Sequence, residues 1–250
     1  MGTLDTFKLL DSPLFISDDE FVGFQHINKF GNNPDIDTIS SEDIWDGGGI
    51  YVFPTEARIH DITSTDTNDT SGGTGARTIN IQGLDANYNE IEEDVTLNGT
   101  ANVPTTKSFL RIHRMKVTSA GSGGEAVGDI TATAQTDATV SAQITDGRNQ
   151  TLMAIYTVPA GKTAYLTNIF SSVGRKTTTA LEVELYVRPF GETFQIKMLL
   201  SGHSHGSSHV QHMNNPYIKI TEKSDIKLKA TVTTNNSNVS GGFDIILIDN

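Results

Sequence analysis

Residues 76–99 read ARTINIQGLDANYNEIEEDVTLNG, and the alternation in this stretch sets the fold class. Ile79 and Ile81 face one way while Asn80 and Gln82 face the other, the period of two of a half-buried β-strand. GLDANYN (83–89) supplies Gly, Asp and Asn, residue types suited to a tight turn. EIEEDVTLNG then returns as a second strand, so the stretch predicts a β-hairpin with a polar connection.

The same signals recur on both sides. IYVFP (50–54) is β-branched and aromatic, and ARIHDITST (57–65) alternates around Ile59 and Ile62. FLRIHRMKVTSA (109–120) directs Leu110, Ile112, Met115 and Val117 inward, and DITATA (129–134) is a short strand. Strands resume at TLMAIYTVP (151–159), TAYLTNIFSS (163–172), ALEVELYVRPF (180–190), TFQIKMLL (193–200), YIKIT (217–221), IKLKATVTT (226–234) and GFDIILID (242–249). No window sustains a helical period. The chain is therefore expected to be all-β, built as one or two antiparallel β-sandwich, jelly-roll-like lobes.

The polar, threonine-rich segment QTDATVSAQITDGRNQ (135–150) marks the expected boundary, giving a first lobe over 46–136 and a second over 146–250. IYVFP (50–54) and IYTVP (155–159) share a pattern, which suggests duplication of one sandwich unit. Residues 1–45 have poor periodicity and many breakers, notably NKFGNNPDIDTISSEDIWDGGG (28–49). They read either as an N-terminal arm or as edge strands of the main sandwich. As an arm, Phe7, Leu9, Leu10, Leu14, Phe15, Phe21 and Phe24 are the assembly contacts, since apolar residues in an arm need a neighbour to bury them.

Composition narrows the function. The chain has 250 residues, 36% hydrophobic and 19% charged, with 23 glycines and no cysteine. Disulfides, thiolate metal sites and a cysteine nucleophile are excluded. A net charge of −12 disfavours nucleic acid as a partner. No apolar run is long enough for a membrane span, and no secretory signal is expected at the start. Gly2 and Thr6 match a short myristoylation pattern without a basic cluster behind it.

Motifs with a chemistry are few. AGKT (160–163) ends like a phosphate-binding loop, but Tyr156 stands where that motif needs Gly and a strand follows in place of a helix, so a turn is expected. STDTNDTSGG (64–73) offers Asp66, Asn68 and Asp69 as oxygen ligands without EF-hand spacing. SGHSHGSSHVQHM (201–213) gathers His203, His205, His209 and His212. H-x-H on a strand puts two imidazoles on one face, and three chains around a threefold axis would bring six nitrogens to a transition metal. The glycines and serines favour a polar, pH-sensitive loop instead, so the only cofactor expectation is a metal at this stretch. No catalytic residue is assigned and no enzyme is expected.

Several phrases together resemble virion structural proteins of tailed bacteriophages, especially marine ones: IWDGGGIYVFP (44–54), GARTINIQGLDANYNEI (75–91), LMAIYTVPAGKTAYL (152–166), ELYVRPFGETFQIK (184–197), NNPYIKITEKSDIKL (214–228) and SGGFDIILID (240–249). The resemblance runs from about Trp45 to the C-terminus. It implies a β-rich, non-enzymatic virion protein assembled in the bacterial cytoplasm. Within that class a head decoration or cement role is expected, with the major capsid protein or other virion proteins as partners and a homotrimer as the preferred state. A tail or neck adaptor, or a fibre-associated host-recognition protein, is the alternative within the virion. A carbohydrate-binding jelly roll is the alternative outside that class.

Overall fold

The computed structural model describes residue 16 and residues 21–174, 178–203, 208–212 (backbone) and 217–250. Its named elements are all strands. Two come first, β1 (Phe24–Ile36) and β2 (Glu42–Asp43). The next group is β3 (His60–Ser64), β4 (Ala76–Leu84), β5 (Glu90–Thr96), β6 (Val103–Pro104), β7 (Arg111–Ala120), β8 (Ile130–Ala134) and β9 (Val140–Ile144). The last group is β10 (Ile155–Thr157), β11 (Lys162–Gly174), β12 (Ala180–Arg188), β13 (Gln195–His203), β14 (Ser208–His212), β15 (Ile218–Ile220), β16 (Asp225–Val232) and β17 (Ser237–Asp249).

These strands form antiparallel sheets around two apolar cores. One core lies between the sheets β6-β3-β8-β9 and β5-β4-β7 and holds Ile62, Ile79, Ile81, Phe109, Ile112, Met115, Ile130 and Ile144. The other lies between β1-β17-β11-β14, with β15 also on β11, and β10-β16-β12-β13, with β2 also on β16. Strand β12 shows how alternation builds it. Leu181, Val183, Leu185 and Val187 are buried while Glu182, Glu184, Tyr186 and Arg188 face outward. Each such aliphatic side chain stabilises the fold by roughly 1.5–3 kcal/mol relative to exposure. The fold class is as the sequence predicts, and the 76–99 hairpin is β4–β5, in register from Thr78↔Thr96 to Leu84↔Glu90.

Three expectations need correction. Residues 24–36 and 42–43 are strand, not arm: β1 pairs with β17 from Phe24↔Ile248 to Asn33↔Val239, and β2 pairs with β16. Periodicity is poor there because the buried positions of β1 include Lys29 and Asn33, polar residues satisfied by internal partners. The segment 135–150 is no boundary, because β9 pairs with β8 and delivers Ala142 and Ile144 to the first core. The pair IYVFP and IYTVP have different roles, since Ile50 and Val52 are exposed in irregular backbone whereas Ile155, Tyr156 and Thr157 are fully covered in β10.

The crossing between lobes comes at residues 151–158. Thr151 N–H donates to Met115 O in the first lobe, and Ala154 N–H donates to Ile44 O in the second. Along this extended run Met153 and Ile155 enter the first core, while Ala154, Tyr156 and Val158 enter the second. A strand has two faces, and here each face belongs to a different sandwich. The same division occurs at Ile44 and Trp45, with Trp45 bridging to Met153.

Candidate functional site: the interlobe joint and its cleft

A buried group of charged side chains collects where the lobes meet. Arg111 opens β7 in the first lobe, and Asp225 opens β16 in the second. Arg111 Nε lies 3.1 Å from Asp225 Oδ1 and its Nη2 donates to Oδ2 at 3.3 Å. Thr157 Oγ1 donates to the same Oδ1 at 2.6 Å, and Arg188 Nε donates to Oδ2 at 3.0 Å. Arg111 also donates to Pro54 O and Leu110 O. Aromatic rings wall in this group: the Arg188 guanidinium lies 4.6 Å from the Phe194 ring centre and 5.1 Å from that of Phe53. Behind it Lys227 Nζ donates to Asp43 Oδ2 at 2.9 Å, and Tyr51 N–H donates to the same oxygen at 2.7 Å. Burial pushes the Asp43 carboxyl up and the Lys227 ammonium down, each opposed by the other's charge.

A second contact lies further along β7. Lys29 Nζ donates to His113 O, and Arg114 Nη2 donates to Asn28 O at 3.0 Å. The His113 ring stacks on Tyr156 at 4.2 Å between centres, and its Nε2 accepts from Thr157 N–H at 3.2 Å. Burial, reinforced by the charges of Lys29, Arg111 and Arg114, holds His113 neutral and well below the usual imidazole range. Burial likewise lowers Lys29, with Arg114 adding to the effect and Asp46 opposing it. Asp46 is raised to about 7, chiefly by burial; one of its oxygens accepts from Thr145 Oγ1 at 3.4 Å and the other is unpaired. A third contact is the β4–β5 turn: Tyr88 packs edge-on against Phe190, and Tyr88 O accepts from Ala160 N–H.

Between β1 and the first lobe lies an open cleft of about 670 Å³, lined by residues 25–30 with Gln82, Gly83, Glu90, Ile91, Glu92, His113, Arg114 and Tyr156. Lys29 and His113, the lining groups with the most displaced proton affinities, are turned to backbone partners. The arrangement tethers two sandwiches. A Ser–His pair also exists in the first lobe, His60 Nε2 to Ser141 Oγ at 2.8 Å, but both residues are 1% exposed. His60 Nδ1–H donates to Arg58 O, so Nε2 accepts from the serine, and burial lowers the ring to about 4. It is a core hydrogen bond closed to solvent.

The sequence-nominated residues are distributed as follows. Phe21 and Phe24 pack at 5.9 Å beside the start of β1, and Phe24 is at the exposed margin. Phe7, Leu9, Leu10, Leu14 and Phe15 lie outside the described residues, as does His205. His203 ends β13 opposite Ala180, exposed, in one sheet of the second sandwich. His209 and His212 are on β14 in the other sheet, opposite Ser171 and Asn168; nothing is described of their side chains. The stretch is thus largely strand where a loop was expected, and it passes from sheet to sheet. Among the described residues no group of three or more His, Asp or Glu is placed to hold a metal. Asp69 is a structural staple: its carboxylate accepts from Ser64 Oγ, Ala76 N–H, Val127 N–H and Gly128 N–H. AGKT forms the expected turn, with Gly161 at φ +73°.

The joint was not nominated from sequence. Arg111 looks like an ordinary strand charge, Asp225 falls just before a predicted strand and Lys29 falls in a breaker-rich segment, so nothing in their spacing links them.

No family model matches the chain, and no curated protein does. Among solved structures, the chain aligns with one of infectious bursal disease virus, Gt strain, at 12% identity and a TM-score of 0.26, covering 97% of this chain and 78% of that one. It aligns with the Gx strain of the same virus at 12% identity and a TM-score of 0.24, covering 90% and 71%. Scores this low do not establish a common fold.

Proposed function

We propose that the chain is a non-enzymatic structural protein of a tailed-bacteriophage virion, and that it decorates and stabilises the head as a multi-copy cement protein on the major capsid protein. One observation carries this reading. Five of the six phrases that resemble phage virion proteins contribute to the interlobe joint: Trp45, Tyr51 and Phe53 come from the first, Tyr88 from the second, Tyr156 and Thr157 from the third, Arg188, Phe190 and Phe194 from the fourth, and Asp225 and Lys227 from the fifth. The likeness therefore includes residues that lock two sandwiches into one block. A rigid block suits a particle component that must resist deformation, whereas an enzyme's likeness is expected to gather on reacting groups. A cysteine-free chain also suits assembly in the bacterial cytoplasm.

The test is reconstitution. Purified chain added to heads that lack it is expected to cosediment with them and to raise the temperature at which they release DNA. Failure to bind heads overturns the reading, and binding confined to the neck or tail reassigns the chain to an adaptor. Removing residues 1–20 tests the arm contacts Phe7, Leu9, Leu10, Leu14 and Phe15. Loss of binding with both sandwiches folded is the expected result. A longer deletion, to residue 40, removes β1 and is expected to unfold the second sandwich.

A further inference from the structure

Strand β13 closes one end of its sheet, and among the described residues it pairs with β12 alone. It is apolar on both faces. Ile196 and Leu199, on the outer face, are 50% and 49% exposed. Met198 and Leu200 point to the core but are only partly covered, although their neighbours on β12 are fully buried. An edge of this kind is a template for another strand. Its one charged residue, Lys197, sits in a register shift opposite Leu185 and Tyr186.

We infer that this edge binds the same edge of a second copy, antiparallel, about a twofold axis through Leu199. The pattern is self-complementary in that register. Leu199 meets Leu199 of the second copy, Met198 meets Leu200, and Lys197 meets Ser201, so no like charges oppose one another. Ser201 is itself opposite Glu182 on β12. Lys197 of one copy therefore lies two strands from Glu182 of the other, about 10 Å between backbones, and the two side chains can join over the small serine. Symmetry provides that ion pair twice. The contact covers Met198 and Leu200 and fuses two five-stranded sheets into one. It is isologous and links copies in pairs; a trimer would need a different surface. The inference does not depend on the virion assignment.

The test uses the full chain. Sedimentation velocity at micromolar concentration is expected to show a dimer, and Leu199→Arg, an exposed substitution, is expected to yield a folded monomer. Lys197→Glu is expected to weaken the dimer, and adding Glu182→Lys to restore it. Because the chain has no cysteine, Leu199→Cys gives a clean readout of register. Directly opposed antiparallel residues have Cα atoms roughly 4.5–5.5 Å apart, within disulfide range. Oxidation should link Leu199→Cys into covalent dimers and leave Ile39→Cys, at an exposed site away from this edge, unlinked. A monomeric wild type whose Leu199→Cys variant does not cross-link, or an oligomer indifferent to Leu199→Arg, overturns the inference.

Discussion

Arg111 and Asp225 stand 114 residues apart, in different sandwiches, yet their side chains meet in a buried ion pair with Nε 3.1 Å from Oδ1. Their side chains are 4% and 5% exposed, so water does little to screen the pair. Removing one partner is costlier than the pair is worth, because the other charge is left buried. Asp225→Ala strands Arg111 beside Arg188. The expected loss is about 3–5 kcal/mol, read as a fall in the urea midpoint. A loss comparable to that at an exposed pair such as Arg58–Asp137 would refute the joint.

The buried titrating groups predict a particular response to pH. His60 is held at about 4, against an ordinary 6.5, so the unfolded chain takes up the proton first. Its contribution is present above 6.5 and is lost as pH falls towards 4, about 3 kcal/mol in full. His113, also held neutral, acts in the same direction. Asp46 acts in the opposite sense: with its carboxyl raised from 3.8 to about 7, its contribution is present at low pH and is lost as pH rises through 7, at most about 4 kcal/mol. Asp46→Asn should therefore be more stable than wild type above neutrality and should show a steeper acid loss. Urea midpoints on either side of each transition check both signs; an unchanged profile would mean that Asp46 is not held in a buried site.

Asp69 offers a prediction about metal. Its two oxygens already accept four hydrogen bonds. Asp69→Asn keeps only one acceptor oxygen and orphans donors around it, at about 1–3 kcal/mol for each unsatisfied group. Millimolar calcium is expected to leave the Tm of the wild type unchanged. A rise in Tm on adding calcium would show that the loop is a binding site after all.

Gly31 tests the close approach at the shared wall. A Cβ there would lie 2.2 Å from Ile44 O and 2.5 Å from Ala154 N, both backbone atoms that cannot swing aside. Gly31→Ala should cost about 3 kcal/mol or prevent folding, at or beyond the usual range for overpacking. Gly72→Ala, where the added methyl meets open space, should change the urea midpoint little.

The parts of the fold that were legible in sequence are those where one face of a strand is apolar and the other polar, as in β4 and β12. The shared segment 151–158 was legible as a strand but not as a wall, because a run buried on both faces looks the same whether it has one core or two beside it. Strand β1 was illegible for the opposite reason: Lys29 and Asn33 are buried by hydrogen bonding, which leaves no hydrophobic period to detect. The joint depends on charges brought together across the chain, and spacing along a sequence contains no record of such a meeting. The histidines divide between two sheets, His203 on β13 and His209 on β14, and spacing along the chain does not record that division.

The most direct test of the proposed cement role is the mass ratio of this chain to the major shell protein in purified particles of its proposed phage source, by quantitative mass spectrometry. The account predicts a ratio near unity or a simple large fraction of it, as for a protein spread over the head. A ratio of a few copies per particle would contradict the cement role, and absence from the particle would contradict a structural role in the virion altogether.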